Sequence, residues 1–194
     1  MKSKILQCAI ELLNQQGINQ TSFRDIASAL NISDGHVRYY FKTKELLLTS
    51  IFDQLDNEML SIISSSTFND FQNLDEIITT KFAEGFTILV NYRFIMVESP
   101  KTIHQFPKLA SAYQNLIDNR KQSFLDFFEM LIQMGYFKSD FDKKQQEMVF
   151  NTLYIVADSW IRYFIIKNNH KPSPSDIDFH SKLVFNILVP YINR

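Results

Sequence analysis

Between positions 22 and 44 the chain gathers Ser22, Arg24, Ser33, Asp34, Gly35, His36, Arg38, Tyr39, Tyr40, Lys42, Thr43 and Lys44. The polar side chains of this stretch share one chemistry, recognition of a polyanion. Lysine and arginine neutralise phosphates, and hydroxyls donate to phosphate oxygens. Arginine also matches the guanine edge, and a carboxylate such as Asp34 can accept from the cytosine amine. Each residue has a plainer use as well. Lys42 and Lys44 could be solvated lysines, Arg24 half of a surface ion pair, and Asp34 a helix-dipole partner. His36 could be structural. Tyr39, Tyr40 and Phe41 could simply close a helix; Phe41 is expected in the core, with Tyr39 or Tyr40 offering a hydroxyl to phosphate.

Catalytic chemistry has little to work with. The four histidines, His36, His104, His170 and His180, are scattered with no i, i+4 pair. There is no Gly-rich phosphate loop, nucleophile elbow or His-Glu-x-x-His. The single cysteine, Cys8, has no histidine near it in sequence. Glu98 and His104 could move a proton or hold a metal, but read more simply as neighbours on a surface loop. No enzyme activity, metal or cofactor is expected.

The elements that position the Ser22–Lys44 cluster are helical. Ile5, Ala9, Leu12 and Leu13 recur at helical spacing, predicting a helix from about Ser3 to Gln16, with Gly17 as its C-terminal cap. Ser22 and Asp25 form a capping pattern ahead of Phe23, Ile26, Ala27 and Leu30. Ser33 caps a short third helix, with Ile32 and Val37 placed as a hydrophobic staple. Thr43 caps a fourth, carrying Leu47, Ile51, Leu55 and Ile62; the cluster Ser64 to Thr67 marks its end. Further helices are expected near 73–97, 108–134, 143–169 and 176–192. Gly135 reads as a cap, Pro100 and Pro107 bracket a connection or short helix, and 168–174 is a loop.

The second and third helices form a helix-turn-helix candidate. Ala27 is small enough for a close crossing, and Asn31 tolerates the left-handed backbone of the turn. The third helix is then free to enter a major groove. Thr21 to Ala27, Asn31-Ile32-Ser33, Gly35 and the block Tyr39-Tyr40-Phe41-Lys42-Thr43-Lys44-Glu45-Leu46-Leu47 resemble the N-terminal domain of TetR-family transcriptional regulators. The resemblance is specific over roughly the first 50 residues. Beyond them, length and helical character alone agree. Asn31 stands where that family usually has Gly. Asp34, His36 and Arg38 also depart from its common residues, which implies an unusual operator sequence. By the resemblance, Arg24 sits at the start of the second helix within reach of a groove edge, and Lys44 is read as a phosphate clamp.

The same resemblance assigns ligand binding and dimerisation to the larger C-terminal part. Independent support comes from the segment 150–166, which leaves almost no polar face and therefore needs cover on all sides. The last helix is similar. Phe150, Leu153, Tyr154, Ala157, Ile161, Phe164, Leu183, Ile187, Leu188 and Tyr191 are the expected contacts of a four-helix interface about a two-fold axis. The competing reading is a central helix buried within a monomer. Cavity candidates are Phe82, Phe86, Leu89, Tyr92, Met96, Phe106, Tyr113, Phe124, Phe127, Phe128 and Trp160, with Asn151 and Asp158 as further polar anchors. Aromatic stripes of this kind more often form plain core. Gly85, mid-helix, leaves space for a ligand or a close helix.

The 194 residues, with 45% hydrophobic and 14% aromatic content, can bury a real core. Basic and acidic residues nearly balance, so any nucleic-acid role must rest on a local patch. Residues 1–46 carry six basic and four acidic side chains, against fourteen and seventeen in the remainder. No apolar run reaches the roughly 20 residues needed to span a bilayer, and the N-terminus is amphipathic. The expectation is an all-α chain: a three-helix DNA-binding head over 1–46, followed by a larger helical ligand-binding and dimerisation domain over 47–194. Its expected partners are double-stranded DNA, a second copy and an unknown small-molecule effector in the cytoplasm, without a membrane. The alternative is a helical ligand-binding or interaction protein that lacks specific DNA binding.

Overall fold

A computed structural model of the chain describes residues 1–64 and 73–194. Ten α-helices and a short 3-10 turn account for the regular structure among these residues, with no β-strand. The head consists of α1 (Lys2–Gln20), α2 (Phe23–Ala29) and α3 (Asp34–Tyr40). The body follows as α4 (Lys44–Ser64), α5 (Leu74–Asn91), α6 (Arg93–Val97), α7 (Pro100–His104), α8 (Pro107–Gln133), α9 (Lys143–Asn168) and α10 (Pro174–Phe185). The position 46/47 falls inside α4, which runs on from the head into the body.

Local capping sets the head. Gly17 has φ 80° and ψ 173°, a backbone conformation open almost only to glycine, and it kinks α1 before a last turn at 18–20. Ser22 Oγ accepts from the Asp25 amide at 3.3 Å while Asp25 Oδ2 accepts from the Ser22 amide at 2.7 Å. Asn31 takes the left-handed turn, φ 52°, that joins α2 to α3. Ser33 Oγ accepts from His36 N, and Thr43 Oγ1 accepts from Leu46 N. Of the serine–threonine cluster expected to end α4, Ser64 is its last helical residue; the rest lies outside the described residues.

The body differs from its expected boundaries in two places. The helix expected over 73–97 breaks at Tyr92 into α5 and α6. No proline or glycine causes this. Asn14 of α1 supplies the missing partners, donating to the Asn91 carbonyl at 2.7 Å and accepting from the Phe94 amide at 3.0 Å. The helix expected over 176–192 ends at Phe185, and a 3-10 turn covers Val189–Tyr191. Pro190 has no amide to continue the ladder and disfavours helix at the residue before it. The tail folds back instead: Lys138 N donates to Tyr191 O at 2.9 Å, and the Tyr191 ring stacks on Phe141 at 4.3 Å.

In the body α5 packs on α10 and α4, α8 packs on α4 and α9, and α6 lies between α1 and α9. One connected cluster of buried apolar residues runs from Ile5 in the head to Ile192 at the tail. The head is therefore fixed to the body by shared core as well as by the Asn14 bridge.

Candidate nucleic-acid interface and cavity

The α2–α3 pair has an inner and an outer surface. Phe23, Ile26, Ala27, Val37 and Phe41 are buried, and the Ile32 amide donates to Ala27 O at 3.0 Å across the turn. Outward lie Ser22, Arg24, Ser33, Gly35, His36, Arg38, Tyr39, Lys42 and Thr43, all exposed. Tyr39 is 73% exposed, while Phe41 beside it is core. Tyr40 is half-buried between neighbours, its ring 5.2 Å from Tyr39 and 5.6 Å from His36. The polar surface of α3 thus projects from a rigid apolar floor.

Arg38 is held in place within its own helix. Its Nε donates to Asp34 Oδ2 at 2.7 Å, and its guanidinium lies 5.0 Å from the centre of the Phe23 ring. Asp34 Oδ1 is buried without a partner. Arg24 has no ion pair among the described residues. Lys44 is partly buried; burial pushes its ammonium below the usual lysine range, and the carboxylates of Glu98 and Asp25 oppose that shift. Glu98 also accepts from the Ile18 amide at 2.7 Å, so it ties the last turn of α1 to the body. That contact, rather than a pairing with His104, is what Glu98 makes. Arg162 of α9 holds the same segment, donating to the carbonyls of Met96 and Glu98. Glu45 accepts from the Lys108 amide at 2.8 Å. Asn14, Glu45, Glu98 and Arg162 have no sequence signature, because each looks like an ordinary polar residue on an amphipathic helix.

A cavity of about 230 Å³ lies in the body. Phe82, Phe86, Leu89, Met96, Tyr113, Phe124, Phe127 and Asp158 line it as expected. Gly85 lines it too, and a Cβ there would meet Met59 Cε at 3.5 Å, an ordinary contact. Tyr92, Phe106, Phe128, Trp160 and Asn151 do not line it. Tyr92 is buried and donates to Glu58 Oε1 at 2.6 Å. Phe128 is fully buried against Phe137 and Phe141, and Phe106 packs on the core. Trp160 stacks on His180 with its indole N–H unpartnered. Asn151 faces solvent. Four residues expected at the dimer interface, Phe150, Leu153, Tyr154 and Ala157, line the cavity instead.

The polar groups of the wall are few. Tyr113 donates to Asp158 Oδ1 at 2.6 Å. Burial, then the Asp158 charge, pushes both the Tyr113 and Tyr154 phenols far above the usual range; Arg120 opposes this at Tyr154. Arg120 is buried, and its Nη2 donates to Asp56 Oδ1 at 2.7 Å. Among the described residues no group of His, Cys, Asp and Glu could hold a metal ion, and no helix is long and apolar enough to cross a membrane.

The rest of the expected interface also needs correction. Phe150, Leu153, Ile161, Phe164 and Leu188 are core of their own chain, and Ile187 and Tyr191 pack against that core. A helix apolar all round gives no sign in its sequence of which stripe faces inward, and these expected contacts belong to the inward one. The outward one carries Met148, Ile155, Tyr163 and Ile166 on α9, alongside Phe179 and Leu183 on α10. Leu183 alone of the expected contacts is among these exposed residues, at 41%.

Comparison with known proteins agrees with this anatomy. Residues 5–51 match the family described as bacterial regulatory proteins, tetR family, and residues 53–194 match that of the bacterial transcriptional repressor TetR. The fatty acid metabolism regulator protein of Bacillus subtilis is 21% identical over 168 residues, covering 81% of this chain and 82% of that protein. IcaR of Staphylococcus aureus, a negative transcriptional regulator of the biofilm operon icaADBC, is 24% identical over 165 residues, covering 74% and 87%. A TetR-family transcriptional regulator from Marinobacter aquaeolei superposes with a TM-score of 0.84 at 20% identity, covering 100% of this chain and 91% of that one. With the helix-turn-helix head and the helical body both matched along their length, the chain belongs to the TetR family of DNA-binding transcriptional regulators.

Proposed function

We propose that the protein is a homodimeric repressor whose two heads bind successive major grooves of a palindromic operator and release it when an effector enters the cavity. The observation that carries this reading is the joint between cavity and head. Met96 lines the cavity, and two residues on, Glu98 holds the last turn of α1. The Asn91 carbonyl and Phe94 amide of the same segment hold Asn14. A ligand that moves α6 therefore moves the groups that fix α1. It weakens DNA binding only by its differential affinity for the two head arrangements.

The recognition helices of the dimer must lie about 34–36 Å apart, or slightly more, to meet successive grooves. Arg24, His36, Arg38 and Tyr39 are the exposed groups suited to base edges, and Ser22, Tyr40, Lys42, Thr43 and Lys44 suit phosphates. The outward stripe of α9 and α10 forms the dimer contact. IcaR, a negative regulator, is the relative that supports repression.

Selection of bound sequences from a random duplex pool, at stated moderate salt, tests the reading. A palindrome whose half-sites are one helical turn or slightly more apart is the expected result. Recovery of a single unpaired half-site would overturn the dimer. Recovery of no sequence by folded protein, at low salt as well, would leave a ligand-binding protein on the same fold.

A further inference from the structure

The charges on the cavity wall select the kind of effector. Among the described residues, three charged side chains line it: Lys81, Arg120 and Asp158. Lys81 is paired with Glu84 at 2.9 Å and Arg120 with Asp56 at 2.7 Å. Asp158 has no cation within ion-pairing distance among the described residues; its one hydrogen bond there comes from the neutral Tyr113 hydroxyl. Among the described residues, the wall thus carries one carboxylate without a cationic partner. The remainder is apolar and rich in rings, Phe52, Phe82, Phe86, Phe124, Phe127 and Phe150 among them.

We propose that the cavity takes a lipophilic cation, its positive group against Asp158 and its apolar body among the phenyl rings, a reading that rests on the cavity being the effector site. The alternatives fit worse. An anionic head would meet Asp158 with the same sign, while the two wall cations, Lys81 and Arg120, each already face a carboxylate of their own, Glu84 and Asp56. A neutral ligand would leave the Asp158 carboxylate without a counter-charge. A cation offsets that charge and also finds aromatic faces, to which quaternary ammonium groups are attracted. The volume of about 230 Å³ is below the roughly 300–1,000 Å³ usual for small-molecule sites, so a compact body is favoured.

The test is calorimetric titration of the full chain with octyltrimethylammonium, octanol and octanoate, one apolar tail under three head charges, all below their aggregation limits. Octyltrimethylammonium is expected to bind at least about tenfold more tightly than octanoate. Asp158→Asn keeps the volume and the acceptor for Tyr113. It is expected to remove most of that preference while octanol affinity stays within about twofold. Ala157→Leu, which fills the cavity, is expected to abolish all binding. Octanoate binding as tightly as the ammonium, or an Asp158→Asn protein that keeps the preference, would overturn the cation assignment and leave the effector site standing. Saturable binding by none of the three probes, or binding that survives Ala157→Leu, would overturn the effector site itself. Should Asp158→Asn fail to fold, the wild-type comparison of ammonium with carboxylate decides.

Discussion

On the proposed reading, the Asp34–Arg38 pair sets how the recognition helix meets a base. Arg38 is about half exposed in this pair. An exposed pair at this spacing is worth about 0.3–0.5 kcal/mol, whereas a bidentate arginine–guanine contact discriminates by about 1–3 kcal/mol. On these magnitudes a guanine would outcompete Asp34 for Arg38, and the pair with Asp34, over Phe23, would hold the side chain in the absence of DNA. Arg38→Ala is expected to cost about 1–3 kcal/mol of operator affinity and to relax preference at one base position, measured by titrating operator variants at fixed salt. Asp34→Ala should bind every sequence slightly more tightly, because it removes a negative charge beside the phosphates. Loss of preference at one position in Asp34→Ala would instead make Asp34 a reader of cytosine. Gly17 is the other position where one side chain matters. A Cβ there would lie 3.1 Å from Glu98 Oε1 on a φ of +80°. Gly17→Ala is expected to lower stability by about 1–3 kcal/mol in urea titration.

At the scale of elements, the break between α5 and α6 depends on a residue in another part of the chain. Asn14 takes up an amide and a carbonyl that the broken helix leaves open. Asn14→Ala should cost about 1 kcal/mol, the groups being only partly buried, and should weaken the effector's influence on operator binding. Gel-shift titrations with and without effector would measure that coupling; an unchanged coupling would exclude Asn14 from the relay. The same contact marks the limit of what the sequence could tell. The caps at Ser22, Ser33 and Thr43, the turns at Gly17 and Asn31, and the buried Phe41 were legible because each is decided by neighbours a few positions away. The break at Tyr92 was not, since its partner lies 77 residues off. The early end of α10 did have a local signal, Pro190, which the apolar periodicity of the tail outweighed. Eight of the cavity candidates line one cavity, yet periodicity could not tell the inner stripe of α9 from the outer. Phe150 and Ile155 are equally apolar, and only the packing of neighbouring helices separates them, with Phe150 against Phe124 of α8.

The whole molecule leaves that outer stripe uncovered. Ile155 and Ile166 are 64% and 77% exposed, beside Met148, Tyr163, Phe179 and Leu183. Burying an isoleucine side chain is worth about 1.5–3 kcal/mol, so covering two of them twice over in a symmetric dimer is a large gain. The double variant Ile155→Asp, Ile166→Asp would place four unpaired carboxylates in that contact. Both side chains are mostly in solvent within one chain, so the fold of the monomer should survive, with helical circular dichroism unchanged. Sedimentation equilibrium should shift from dimer to monomer, and the melting temperature should lose its dependence on protein concentration. Operator affinity should fall about 10²–10⁴-fold, since two heads on one duplex act by effective concentration and the variant has one. Ile161→Asp, in the core at 0% exposure, is the contrast: it should unfold the chain instead of dividing the dimer. A double variant that stays dimeric and keeps its operator affinity would move the interface away from α9 and α10.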